Sequence, residues 1–99
     1  PFVSVIVPAY NGAALLAEAV ASIRAQGYLP MEIIVVDDAS SDATAAVAAQ
    51  LGGLMLRSHA RNRGPAAARN TGLDRARGEL IAFLDAGPAV SPVPGRSSP

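Results

Sequence analysis

Residues 32–36, Glu-Ile-Ile-Val-Val, contain four consecutive β-branched aliphatic side chains with no polar residue between them. A strand with one wet face alternates apolar and polar positions. A continuous run fits a strand covered on both faces, as in a parallel sheet. A parallel sheet needs a long crossover after each strand, usually a helix, and the rest of the chain supplies such units in order.

Residues 3–7, Val-Ser-Val-Ile-Val, form a first strand, which Pro8 is expected to end because proline gives no N–H to a ladder. Asn11 is expected to cap a helix over residues 12–26, with Leu16, Val20 and Ile23 on its sheet-facing side and Gly27 as its stop. After the 32–36 strand, Ser40-Ser41-Asp42 offers caps for a second helix over 42–51, with Val47 and Leu51 inward, ended by Gly52-Gly53. Leu54-Met55-Leu56 reads as a third strand, followed by a polar loop over 58–64 in which His59 is expected to be exposed. Pro65 opens a third helix to about Arg77, with Ala68, Gly72 and Ala76 as a stripe of small residues, and Gly78 stops it. Residues 79–84, Glu-Leu-Ile-Ala-Phe-Leu, form a fourth strand that ends at Asp85. The alternation predicts an α/β layered domain, a mostly parallel sheet of four strands with helices on both faces.

Composition narrows the function. Eight positive and eight negative side chains cancel, and all eight cations are arginine. This argues against a chain that coats nucleic acid electrostatically, and four aromatic residues are too few for a stacking platform. Cysteine is absent and His59 is the sole histidine, which removes disulfides, thiolate catalysis and multi-histidine metal sites. No apolar run reaches the ~18 residues that span a bilayer. Pro1-Phe2-Val3-Ser4 is neither a signal peptide nor an initiator methionine, so the chain reads as an excised segment. Residues 86–99 hold four prolines, three serines and two glycines, so a division into a folded part, 1–86, and a disordered tail, 87–99, is expected.

In open parallel sheets, ligands bind beyond the carboxyl ends of the strands. Those ends carry Pro8 and Tyr10, Asp37 and Asp38, and Asp85. Carboxylates there can accept from a base or a ribose hydroxyl, or hold a hard cation, and Tyr10 can offer a flat face. Turn and capping chemistry accounts for Asp37 and Asp38 equally well from the local pattern. No dinucleotide fingerprint, P-loop or nucleophile elbow is present.

Four segments resemble the family 2 glycosyltransferases of the GT-A fold. They are Val-Ser-Val-Ile-Val-Pro-Ala-Tyr-Asn at 3–11, Glu-Ile-Ile-Val-Val-Asp-Asp-Ala-Ser-Ser-Asp at 32–42, Asn-Arg-Gly-Pro-Ala-Ala-Ala-Arg-Asn-Thr-Gly at 62–72, and Gly-Glu-Leu-Ile-Ala-Phe-Leu-Asp at 78–85. The resemblance implies a partial GT-A domain of Rossmann-like type that binds a nucleotide-diphosphate sugar, UDP-linked by family tendency. It places Pro8 and Tyr10 against the nucleobase, Asp37 and Asp38 on base and ribose, and Arg69 near the donor or in support of the loop. It makes Asp85 the first acid of an Asp-x-Asp motif that holds Mg²⁺ or Mn²⁺ against the diphosphate. It also implies work in the cytoplasm or at the inner face of a membrane. Two departures stand out. Gly87 occupies the place of the second metal-binding acid, and Ala39 replaces a usual glycine, a change expected to be minor. The family's acceptor half and general base have no counterpart, so the chain reads as a donor-binding half, truncated at the metal motif and inactive alone. A non-catalytic nucleotide-binding module and a non-functional gene fragment with an uncovered apolar strand edge are the alternatives.

Overall fold

The structure is a computed structural model that describes residues 1–26 and 30–84. Gly27, Asp85 and the segment 86–99, with the expected division after residue 86, lie outside the described residues. The elements follow the order β1 (Val3–Ala9), α1 (Ala13–Gln26), β2 (Met31–Asp37), α2 (Thr44–Leu51), β3 (Met55–Ser58), α3 (Pro65–Arg75) and β4 (Leu80–Phe83). All pairings are parallel, in the spatial order β3-β2-β1-β4. None of the described helices is long and apolar enough to cross a membrane.

The order explains the layers. From β1 through β2 to β3 the chain steps in one direction, so right-handed crossovers put α1 and α2 on the same face. From β3 the chain returns past β2 and β1 to β4, which puts α3 on the opposite face. The core divides accordingly. Val5, Val7, Ala9, Ile33 and Val35 pack with Leu16, Val20 and Ile23 of α1 and Ala48 of α2. Ile34 and Val36 pack with Ala68 of α3. Successive β2 residues therefore enter different apolar layers, which is why that strand carries no polar alternation. On α2 the buried residues are Thr44 and Ala48, while Val47 and Leu51 pack at the margin of the core instead of at its centre.

β1 does not end at Pro8. It continues to Ala9, with Pro8 opposite Val36 and Ala9 opposite Asp37. Backbone groups along a strand alternate between its two neighbours. Val3 N–H and Ala9 C=O engage the β2 side, through Pro30 and Asp38, whereas Ile6 C=O accepts from Leu84 N–H on the β4 side. Pro8 shares the parity of Ile6, and among the described residues β4 pairs with β1 only as far as Ile6. The donor that proline lacks thus falls beyond the paired part of β4, and the β1–β2 ladder loses nothing.

Two glycines permit close approaches. A methyl group at Gly72 of α3 would lie 2.4 Å from Ile6 Cγ2, so α3 rests directly on the fully buried centre of β1. A methyl group at Gly78 would lie 2.6 Å from Ser4 N and 2.8 Å from Phe2 O, where the chain passes over β1 before β4 begins. A clamp holds this second crossing. Ser4 Oγ donates to Glu32 Oε2 at 2.6 Å and accepts Gly78 N–H at 2.8 Å, while the Arg77 guanidinium reaches Glu32 Oε1 at 3.0 Å. β4 itself lies at the edge, with Leu80, Ile81 and Phe83 exposed and no described strand on its outer side.

Gly72→Ala and Gly78→Ala are each expected to lower stability by about 1–3 kcal/mol through overpacking, although alanine is the better helix former at position 72. Urea unfolding of the two variants measures this. Unchanged midpoints would show that neither crossing is as tight as the contacts indicate.

Candidate functional site

Three loops meet at the carboxyl rim of the sheet: residues 10–12 after β1, 38–43 after β2 and 59–64 after β3. Side-chain oxygens tie them together. Asn11 N–H donates to Ser40 Oγ at 2.8 Å, and Ser41 N–H donates to Asn11 Oδ1 at 2.8 Å. Asn11 therefore links two loops and does not cap α1 as the sequence pattern predicts. The first N–H groups of α1 find partners at the start of α2 instead. Gly12 N–H donates to Thr44 Oγ1 at 3.0 Å and Ala13 N–H to Asp42 Oδ2 at 3.2 Å. Asp42 Oδ1 also accepts from Thr44 N at 2.9 Å and from the Thr44 hydroxyl, so one carboxylate serves two helix N-termini. The Thr44 hydroxyl bond, with further N–H donors, holds the Asp42 carboxyl below its usual value.

Asp38 is the most fully engaged group at the rim. Its side chain is only 5% exposed. Oδ1 accepts from His59 Nδ1 and from Arg63 N–H, each at 2.8 Å, and Oδ2 accepts from Gly64 N–H at 2.8 Å. The main chain is occupied as well, with Asp38 N–H donating to Ala9 O at 2.9 Å and Asp38 O accepting from Asn62 Nδ2 at 3.3 Å. Gly64 and Pro65 begin α3 and bring no side-chain cap of their own, so Asp38 supplies from β2 the negative charge that a helix N-terminus favours. A carboxylate only accepts, so His59 Nδ1 carries the proton. In the neutral ring Nε2 then accepts from the Thr71 hydroxyl, 2.8 Å away on α3. The His59 side chain is 6% exposed, which overturns the exposed position expected for a polar loop. Burial alone pushes the Asp38 carboxyl up. The His59 bond and the N–H groups of Arg63 and Gly64 outweigh it and hold the carboxyl below its usual 3.8.

The remaining expected site residues are distributed around this knot. Asp37 is buried, accepts Ser40 N–H on Oδ1 at 3.1 Å, and through its carbonyl accepts His59 N–H at 2.9 Å. Tyr10 directly follows β1 and is 43% exposed. Pro8 is buried within β1. Arg69 is half-buried on α3, and Asp85 follows Leu84 outside the described residues. The structure therefore brings Tyr10, Asp37 and Asp38 to one rim. It adds Asn11, His59 and Thr71, whose roles depend on packing between loops and left no local sequence pattern, and Asp42, which the pattern offered as a cap for α2 and which also accepts from Ala13 N–H. Among the described residues no group of three His, Cys, Asp or Glu side chains could hold a metal, so these residues alone do not fit a divalent cation.

Ala39 has a φ of 62°, in the left-handed region that suits glycine. The turn from Asp38 to Ser40 needs this value, because Asp38 faces α3 while Ser40 returns toward Asn11. Alanine at this position is thus strained and not a minor change.

Comparison with known proteins shows the family of the chain. Residues 4–92 match the model of the family described as Glycosyl transferase family 2. The chain belongs to that family. It is 45% identical over 94 residues to a succinoglycan biosynthesis protein, ExoO, of Rhizobium meliloti, covering 93% of this chain and 27% of the relative. Among solved structures it resembles a mannosyltransferase of Pyrobaculum calidifontis in complex with GDP-Man and Mn²⁺, with a TM-score of 0.77 and 39% identity over 84% of this chain and 26% of that one. It also resembles S. aureus TarS in complex with UDP, with a TM-score of 0.78 and 33% identity over 87% of this chain and 27% of that one. The family 2 chain described here thus spans about a quarter of the length of these relatives. Its four-stranded parallel sheet with three helices has the Rossmann-like GT-A arrangement.

Two outcomes follow for this family 2 rim. A carboxyl held below its unfolded-state pKa contributes stability that is complete above the unfolded value and is lost as pH falls through the folded one. Asp38→Asn is therefore expected to cost about 2–3 kcal/mol at neutral pH. The gap to wild type should close as pH drops below 3.8, and urea unfolding across pH measures it. Ala39→Gly is expected to raise stability by about 1 kcal/mol, since it removes the left-handed strain and gives back part of that gain as unfolded-state entropy. A lower urea midpoint for Ala39→Gly would contradict the strain.

Proposed function

We propose that residues 1–86 form the donor-binding half of a glycosyltransferase that moves a sugar from a nucleotide-diphosphate sugar to an acceptor. The observation that carries this is the meeting of Tyr10, Asp37 and Asp38 at the carboxyl rim, in a member of a family whose solved relatives hold GDP-Man or UDP. The rim lies beside the point where the winding reverses, between β1 and β4, which is where open α/β sheets bind ligands. Tyr10 gives the base a flat, accessible face. Among the described residues Asp38 Oδ2 accepts a single N–H, which leaves an acceptor direction for an N–H of the base, while Asp37 and Ser40 lie at hand for ribose hydroxyls. Pro8 stiffens the strand beneath the base, and Arg69 approaches from α3.

Uridine is the proposed donor base, supported by the TarS complex with UDP, and guanosine is its competitor on the strength of the mannosyltransferase with GDP-Man. Mg²⁺ or Mn²⁺, as in relatives crystallised with Mn²⁺, would neutralise the diphosphate, with Asp85 as the ligand from this chain. Gly87 stands two residues later, so these residues supply one acid to the ion and not two. Transfer by the 99 residues alone is accordingly not expected. The working place is the cytoplasm or the inner face of a membrane, where nucleotide sugars are made.

An NMR titration of the labelled chain with UDP, and in parallel with GDP, tests the reading. Amide shifts at Tyr10, Asp38 and Ser40 are expected, saturating at a lower concentration for UDP, and Tyr10→Ala should weaken binding about tenfold through lost stacking. A spectrum indifferent to both nucleotides at millimolar concentration would remove the proposal.

A further inference from the structure

One chain of hydrogen bonds at the rim has no part in the ligand contacts proposed above. It begins on α3 at the Thr71 hydroxyl, reaches His59 Nε2 at 2.8 Å, and passes from His59 Nδ1 to Asp38 Oδ1 at 2.8 Å. Thr71 precedes Gly72, which rests against Ile6, so the hydroxyl is placed by the packing of α3 on β1. An imidazole held at one nitrogen can still pivot about that bond. Held at both, it has one orientation. His59 and Arg63 N–H together occupy Oδ1, so the carboxylate cannot rotate to exchange its oxygens, and Oδ2 is the oxygen left with a single partner among the described residues.

We infer that His59 and Thr71 are positioning residues of the nucleotide site: Thr71 orients His59, and His59 holds Asp38 with Oδ2 available to the base. The inference rests on the donor-binding reading. It adds two residues to that reading and a dependence on the Thr71 hydroxyl itself, since the chain ends on a group that can accept or donate as the ring requires.

The test uses the full chain with UDP as the probe, followed by calorimetry and by the amide signals of Arg63 and Gly64, whose N–H groups share Asp38. Thr71→Val keeps the shape and removes the hydroxyl; Thr71→Ser restores it. Thr71→Val is expected to weaken UDP binding about three- to tenfold, the worth of one buried hydrogen bond, and to move the Arg63 and Gly64 signals in a spectrum that stays dispersed. Thr71→Ser should return to within about twofold of wild type. His59→Asn keeps a donor for Asp38 but does not reach Thr71, so it should weaken binding to a similar degree, and the double variant should be no worse than either single one. If Thr71→Val does not fold, Thr71→Ser and His59→Asn carry the comparison.

Wild-type affinity in Thr71→Val, or a loss of thermal stability with no change in affinity, overturns the positioning role and leaves the donor reading intact. A loss that Thr71→Ser fails to rescue, or additive losses in the double variant, assigns the effect to packing of α3 and also overturns the role. Absence of UDP binding by the wild-type chain removes the donor reading, and with it this role, before any variant is made.

Discussion

Asp38 carries one negative charge into a place with almost no water, and three donors from later in the chain converge on it. The donors are the imidazole of His59 and the N–H groups of Arg63 and Gly64. Burying a carboxylate is costly unless it is fully hydrogen-bonded. Leaving the N–H groups of Arg63 and Gly64, just before α3, without acceptors would also be costly. Each group satisfies the other, so the end of β2, the loop after β3 and the start of α3 have one mutual arrangement. Everything on that face of the sheet follows from it, including the seat of Ala68 and Gly72 on Ile34 and Ile6.

The architecture was readable because it depends on local rules. A continuous apolar strand means two covered faces, and Ile33 to Val36 obey this residue by residue. The inner residues of α1 are Leu16, Val20 and Ile23, as their spacing requires. Reading failed where a rule depends on the neighbour. Pro8 ends a strand only if its missing N–H faces a partner, and among the described residues that side is unpaired past Ile6. Position 47 of α2 packs against the core as its spacing requires, but Thr44 on the same face is buried more deeply, its hydroxyl accepting Gly12 N–H.

The site divides the same way. Tyr10, Asp37 and Asp38 could be assigned to the rim from their places after apolar strands. Nothing in the order of residues shows that Asp38 holds Gly64, twenty-six positions later and just before α3. His59 in a stretch of Ser, Ala, Arg and Asn looks solvated, and it becomes buried only because Thr71 and Asp38 close on it from two elements. A left-handed Ala39 was foreshadowed by the glycine usual there, but its strain is visible only in the φ of 62°.

The position of β1 has a consequence in time. β1 is made before the other described strands and lies inside the sheet, between β2 and a partner, β4, that is seventy-seven residues away in register, Val3 to Leu80. During synthesis at ~5–20 residues per second, β1 waits several seconds with one row of N–H and C=O groups open. For that interval the nascent chain presents a bare strand edge, able to take up any extended segment nearby. Pro8 shortens that edge, because where β1 would offer its last outward N–H it offers none. A residue that looked like a strand terminator therefore also acts as a guard on a half-made sheet.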